Sequence, residues 1–302
     1  MKMVTEWYRA FRFQVCPRSR FLEFHLNGVG VERREVSAAQ VASELIRLYI
    51  GTILDKQFSA KDAGDCAYTD FLNVGRKRGF YGSKNNFTEA KEVAWKIQKV
   101  LENFAFDPSF TVVIANKPMS VQFTDDIRFY STPVAVVSKE TGAYYLYFVK
   151  VTSSWRDDRR EAMARDNQLL SEMYVAKTLC SGDFAGAIVQ VISLSKAVYE
   201  VPFMVSWDEK LTTDWAEEAG FQEQRVEMLA DSVVANDPSR TAVEQGVAFA
   251  QHRHACSFPY PCQMNEICWG DLQNEPHPEN DPRFMPREIK LVSEKELVAS
   301  WK

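Results

Sequence analysis

Between residues 37 and 104 apolar side chains recur with the period of a helix. In VSAAQVASELIRLYIGTILDKQF, Ser37 stands as a cap and Val41, Leu45, Leu48 and Thr52 form one stripe, which Ile46, Ile50 and Ile53 widen. FTEAKEVAWKIQKVLENFAF repeats the pattern, with Thr88 as its cap and Val93, Ile97, Val100 and Phe104 on one face. The stretch between them, DCAYTDFLNVGRKRGFYGSKNN, is polar and bears glycine, and predicts a loop or short helical turns. From residue 109 the period changes to two. SFTVVIAN, MSVQFT, IRFYS, PVAVVS and AYYLYFVKVTS are short β-branched or aromatic runs, separated by Lys-Pro, Asp-Asp and the turn KETG. They predict five strands in a meander. DDRREAMARDNQLLSEMYVAKTL returns to helical spacing through Met163, Leu170, Met173, Val175 and Leu179. AGAIVQVISL and YEVPFMVSW read as strands, and TDWAEEAGFQEQRVEMLADSVVAN as an acidic amphipathic helix. A cysteine-bearing loop, a proline-rich segment and a charged tail follow.

This order predicts a mixed fold, α/β or α+β, with a central mixed sheet flanked by helices. The expected organisation is a single domain over 1–302. It comprises a helical part (1–109), a sheet core (110–206) with a helix over 157–180, and a C-terminal part (207–302). A chain of 302 residues with 46% hydrophobic side chains buries a full core and is not disordered throughout. No apolar run approaches the roughly 18–20 residues of a membrane span. The opening MKMVTEWYRAFRFQV lacks the apolar centre of a signal peptide, so a cytoplasmic location is expected.

The formal charge of −5 argues against an all-over basic coat. Cations nevertheless gather early, at Arg18, Arg20, Arg33, Arg34, Arg76, Lys77 and Arg78, whereas acids gather late. That asymmetry suits a phosphate-facing side and a solvated back, or simply solvated helix faces.

Cysteine changes the picture. Three of six, Cys256, Cys262 and Cys268, stand with five residues between each pair of neighbours in HACSFPYPCQMNEICWG. In a reducing compartment clustered thiols read as metal ligands before disulfides. Three thiolates leave a closed site one donor short. Cys16, in CPRSRFLEFHL, is the distant candidate, and His252 or His254 the near ones, which would make a zinc site of mixed nitrogen and sulfur. Cys66 and Cys180 read as incidental.

CPRSRFLEFHL at one end and ACSFPYPCQMNEICWG at the other resemble the iron–sulfur staple of RecB-like PD-(D/E)XK nucleases. That group includes AddB-type nuclease domains, CRISPR-associated iron–sulfur exonucleases and phage RecB-family exonucleases. The resemblance runs over nearly the whole chain through short motifs. It implies a 4Fe–4S cluster on Cys16, Cys256, Cys262 and Cys268 that ties the two ends together around a restriction-endonuclease-like core. It also implies DNA as partner, single-stranded or at ends, together with a helicase or nuclease partner protein, in bacterial or phage-infected cytoplasm and away from membranes. Active relatives hold Mg²⁺ or Mn²⁺ on two strand carboxylates beside a lysine. Lys150, in YFVKVTSS, matches that lysine, and Gln168 and Tyr174 match the helix that follows it. Gly51 matches a helical motif whose histidine position is Asp55 here.

The metal ligands do not match. Two residues before Lys150 stands Phe148, and the preceding strand offers Pro133 where an aspartate belongs. Neither side chain coordinates a hard cation. The resemblance therefore implies a catalytically impaired, DNA- or partner-binding member. The alternatives are an active Mg- or Mn-dependent exonuclease with migrated carboxylates, drawn from Asp125, Asp126, Asp55 and Glu44, and a zinc-stapled protein unrelated to nucleases. The Asp125–Asp126 pair reads first as a hairpin turn between two strands. No P-loop and no G-x-S-x-G elbow is encoded.

Overall fold

The computed structural model describes residues 3–6, 16–28, 30–81, 87–123, 127–153, 155–232, 235, 237–249 and 262–287. They fall into two compact units. One is drawn from the described residues within 1–34, 122–128 and 216–287, and the other from those within 35–121 and 129–215. In chain order the first half contains β1 (Met3–Glu6), α1 (Pro17–Phe24), β2 (Val31–Arg33), β3 (Val36–Ser37), α2 (Ala38–Leu54), α3 (Ala60–Arg78), β4 (Phe80–Tyr81) and α4 (Phe87–Glu102). Strands β5 (Phe110–Ala115), β6 (Met119–Gln122), β7 (Ile127–Ser131), β8 (Ala135–Lys139) and β9 (Tyr144–Thr152) come next. Then follow α5 (Arg160–Met163), α6 (Asn167–Leu179), β10 (Phe184–Ser193), β11 (Val198–Tyr199), β12 (Phe203–Ser206), α7 (Glu209–Ala230), α8 (Ala242–Gln245), α9 (Asn265–Cys268) and β13 (Phe284–Pro286).

The larger unit is a mixed sheet in the order β11-β10-β9-β8-β5, with β12 also pairing β10. β5, β8 and β9 run antiparallel to their neighbours, whereas β9 and β10 are parallel and joined through α6. The five strands expected over 110–152 are present, but they are not one meander. β6 and β7 leave the main sheet for a separate small one. Alternation divides the side chains of β9. Tyr145, Tyr147 and Val149 enter a core made with α2, α3 and α4, while Leu146 and Phe148, equally buried, occupy the opposite face with Lys150 in register.

α2 starts where its cap was expected, Ser37 accepting from the Gln40 amide. Its buried stripe is centred on Ile46 and Ile50, and Leu48, placed in that stripe by the sequence, is 43% exposed. The expected loop after it is instead the 19-residue α3. Ser59 caps it, and its buried face of Ala63, Gly64, Ala67, Phe71 and Leu72 is mostly too small to register as a hydrophobic stripe. The small side chains allow close approach: a Cβ on Gly64 would lie 3.1 Å from the Gln98 carbonyl of α4. The helix expected over 157–180 is broken. A short turn and α5 end near residue 164, and Asp166 caps a new start at α6 by accepting from the Leu169 amide.

The smaller unit packs α1 and β2 with segments from much later in the chain. Phe21, Leu22, Leu26 and Val31 share a core with Val226, Phe249, Met264, Ile267, Cys268 and Phe284. β2 pairs antiparallel with β13, Val31 opposite Pro286. Every residue of α1 is buried, charged ones included. Arg20 is fully buried and pairs with fully buried Glu223 at 2.9 Å, and its other guanidinium nitrogen lies 2.9 Å from His25 Nε2. Gly30 takes φ +78°, and a Cβ there would lie 2.3 Å from the Glu23 carbonyl oxygen, so the turn between α1 and β2 admits only glycine.

Candidate functional site

In the larger unit, Lys150 donates to Asp166 at 2.7 Å. Asp166 thus serves two donors, the Leu169 amide through Oδ1 and Lys150 through Oδ2. One turn along α6, Gln168 donates to Glu172 Oε1 at 3.0 Å. The same carboxylate takes Arg47 of α2 at 2.5 Å. Arg47 also donates to the Val149 carbonyl at 2.7 Å, and its guanidinium lies 5.2 Å from the centre of the Phe148 ring.

The local backbone explains that reach. The β8–β9 ladder ends at the Ala135–Tyr147 pair, and Pro133, two residues further out, has no amide hydrogen with which to extend it. Arg47 serves the Val149 carbonyl instead. Glu172 is buried, and its Oε2 has no hydrogen-bond partner among the described residues. Burial pushes its pKa up, while Arg47 and Gln168 oppose the rise and Asp166 adds to it. Burial likewise raises the Tyr174 hydroxyl.

Of the residues chosen from sequence, Lys150 and Gln168 therefore meet this cluster through Asp166 and Glu172. Tyr174 lies on the same helix, half-buried. Asp55 is at the end of α2, where Gln57 donates to it at 2.6 Å and Lys117 lies at 4.0 Å, whereas Lys150 pairs with Asp166. Glu44 accepts from Gln40 on an exposed surface. Gly51 serves packing, since a Cβ there would approach Asn116 Cβ to 2.8 Å and the Val134 carbonyl to 3.3 Å. Asp125 and Asp126 lie outside the described residues. Sequence reasoning missed Arg47, Asp166 and Glu172. The available signal was a charge on an otherwise apolar face: Arg47 stands between Ile46 and Leu48, and Glu172 between Leu169 and Met173.

In the smaller unit, Cys16 is 7% exposed at the N-terminus of α1, and its side chain makes no capping bond. Ser19 Oγ lies 3.9 Å from Cys262 Sγ. Cys262 and Cys268 both pack against the core that α1 helps to build. Arg18, only 5% exposed, donates to the Phe249 carbonyl at 3.2 Å and the Val243 carbonyl at 3.3 Å. Burial pushes its pKa down, and Cys268 and Cys16 push it back up. Arg18 thus sets a desolvated positive charge near Cys16 and Cys268.

Three of the four expected sulfur ligands are thus gathered around one helix. Cys256, His252 and His254 lie outside the described residues. Among the described residues, no three His, Cys, Asp or Glu side chains stand close enough to hold a single ion. A four-iron cluster separates its thiolates further than one ion does. Cys16, Cys262 and Cys268 are thiol donors of the kind such a cluster takes, and Cys256, the fourth of the expected set, is not among the described residues. Cys66 and Cys180 belong to the larger unit. No helix among the described residues is long and apolar enough to cross a membrane.

The sequence matches no model of a known protein family, and no curated protein is significantly similar to it.

Proposed function

We propose that the chain is a RecB-like, PD-(D/E)XK-type protein that holds DNA without cutting it. In this reading a fixed guanidinium takes the place of the divalent cation. The observation that carries it is Arg47. Active relatives place an acid two residues before the strand lysine and seat Mg²⁺ or Mn²⁺ on it. Here that position is Phe148, its ring faces the Arg47 guanidinium at 5.2 Å, and the same guanidinium neutralises Glu172. The acid-to-aromatic change and the metal-to-guanidinium change complement each other. A divalent ion beside Arg47 would meet like charge in a desolvated place. Lys150, held by Asp166, keeps a cation at the end of β9 for a phosphate. The antiparallel β5, β8 and β9 followed by a helical crossover to parallel β10 further support the assignment.

Cys16, Cys256, Cys262 and Cys268 would hold a 4Fe–4S cluster, whose chemistry here is closure of the chain ends rather than a step on DNA. The test compares wild type with Lys150→Ala in gel-shift and cleavage assays on single-stranded, blunt and tailed DNA, with Mn²⁺ present. We expect binding without cleavage, weakened in Lys150→Ala. Mn²⁺-dependent cleavage that Lys150→Ala abolishes would overturn the reading in favour of an active exonuclease. For the cluster, anaerobically purified protein should be coloured. Cys16→Ser should lose the colour and destabilise the protein as much as Cys262→Ser does. A colourless, zinc-loaded protein indifferent to Cys16→Ser would sink the staple.

A further inference from the structure

A cavity of about 590 Å³ opens on the larger unit beside β12. Its wall includes Phe203 and Trp207 from the β12 segment, Leu170 and Met173 from α6, and three charged residues, Arg160, Glu161 and Asp208. Alternation along β12 turns Phe203 and Trp207 to the same side. Phe203 stacks on Trp155, centroids 6.1 Å apart and planes 20° from parallel, and Arg160 lies 5.3 Å from its ring centre. Trp207 is braced edge-on by Phe184 at 5.6 Å. Asp208 caps α7, accepting from the Leu211 amide through Oδ1. The polar cluster of Gln168 and Glu172 belongs to the same helix that supplies Leu170 and Met173.

We propose that this cavity takes one unstacked nucleotide of single-stranded DNA. The base lies against the aromatic and apolar wall, its exocyclic amine is directed to Asp208, and its phosphate to Arg160. The inference rests on the reading above that the protein binds DNA, and it adds the place where an unpaired base is held and the preferred base. Three properties of the cavity point to that occupant. Its volume suits a single nucleotide rather than a duplex. Braced aromatic side chains with a guanidinium beside them are the recurrent means of holding an unpaired base, because every base has a π-face. One cation matches one phosphate, and a carboxylate accepts from the amines of cytosine, adenine and guanine. Thymine instead flanks its single N–H with two carbonyl oxygens that a carboxylate repels.

The test is fluorescence anisotropy with labelled oligo(dC), oligo(dT) and a duplex, without divalent cation. Wild type should bind oligo(dC) more tightly than oligo(dT), and both more tightly than duplex. Phe203→Leu keeps apolar volume and removes the π-face, and should weaken single-strand binding about tenfold. Arg160→Gln should weaken both oligonucleotides by a similar factor. Asp208→Asn keeps a competent cap for α7 while replacing an acceptor by a donor, and should erase the preference for oligo(dC). Wild type that binds none of the three probes overturns the DNA reading itself, and this inference with it. Wild type that binds single strands while Phe203→Leu and Arg160→Gln bind equally well overturns the cavity assignment and leaves the DNA reading standing.

Discussion

Removing Arg47 asks how a buried carboxylate survives without its cation. In Arg47→Ala, Glu172 keeps Gln168 but loses its counter-charge in a position only 2% exposed. Breaking one side of a buried pair costs about 3–5 kcal/mol, because the partner's charge is left uncompensated. Protonation bounds that cost. A carboxyl that titrates near 4.3 in the unfolded chain is held neutral at about pH 7 for about 1.36 kcal/mol per unit, or about 3.7 kcal/mol. Losing the Val149 hydrogen bond adds about 1 kcal/mol. Arg47→Ala should therefore lose about 4–5 kcal/mol in urea denaturation at neutral pH. The sign of the pH dependence follows. A carboxyl whose folded pKa is raised binds more protons folded than unfolded. Its penalty is absent below the unfolded pKa and grows as pH rises toward the folded one. The gap between variant and wild type should narrow as pH falls from about 7 to about 5. Arg47→Met with Glu172→Met, which replaces the pair by apolar volume, should recover most of the loss. A neutral-pH loss under about 1 kcal/mol, or a gap that widens on acidification, would refute the account of a buried ion pair.

Glu223→Ala should cost about 3–5 kcal/mol in the same assay, since it strands fully buried Arg20; Glu223→Gln, which still accepts a hydrogen bond, should cost less. Gly30→Ala should lose more than about 2 kcal/mol, because the φ of +78° is compounded by backbone 2.3 Å from the new Cβ. Gly142→Ala, at φ +84° with nothing within 4 Å, should lose only about 1 kcal/mol and serves as its control. Asp166→Ala removes both the α6 cap and the Lys150 partner, with an expected loss of about 1–2 kcal/mol. Asp166→Asn should restore most of that stability while leaving DNA binding altered, and equal losses in the two variants would contradict the capping role.

The parts of the fold that sequence revealed are those where one side of an element is apolar and the other wet. α2 and α4 carry such stripes, and β5, β8 and β9 carry β-branched runs, so their existence and order could be read directly. α3 could not, because a face that is alanine and glycine apart from Phe71 and Leu72 conveys packing with little hydrophobicity. The break before α6 was hidden for a related reason. Asp166 reads as one more charge in a charged stretch until its carboxylate is seen to cap Leu169. At the site, Lys150 and Gln168 were legible by position along β9 and the next helix. Arg47, by contrast, lies about a hundred residues away and meets the Val149 carbonyl beyond the last β8–β9 pair. That contact depends on a register which periodicity does not encode. Phe148 and Pro133 were visible as missing ligands, but what replaces a ligand is a tertiary fact.

The smaller unit joins partners separated by 203 residues, as in Arg20–Glu223, and by 231, as in Arg18–Phe249. During synthesis α1 leaves the ribosome long before anything exists for it to bury against, with its arginines and phenylalanines equally unsatisfied. The strands and helices of the larger unit have their partners far sooner and close first. On that ordering a nascent copy should pass through a stage in which the sheet is folded while α1 still lacks its partners, and that interval is where chaperones would have their greatest hold on the yield of native protein.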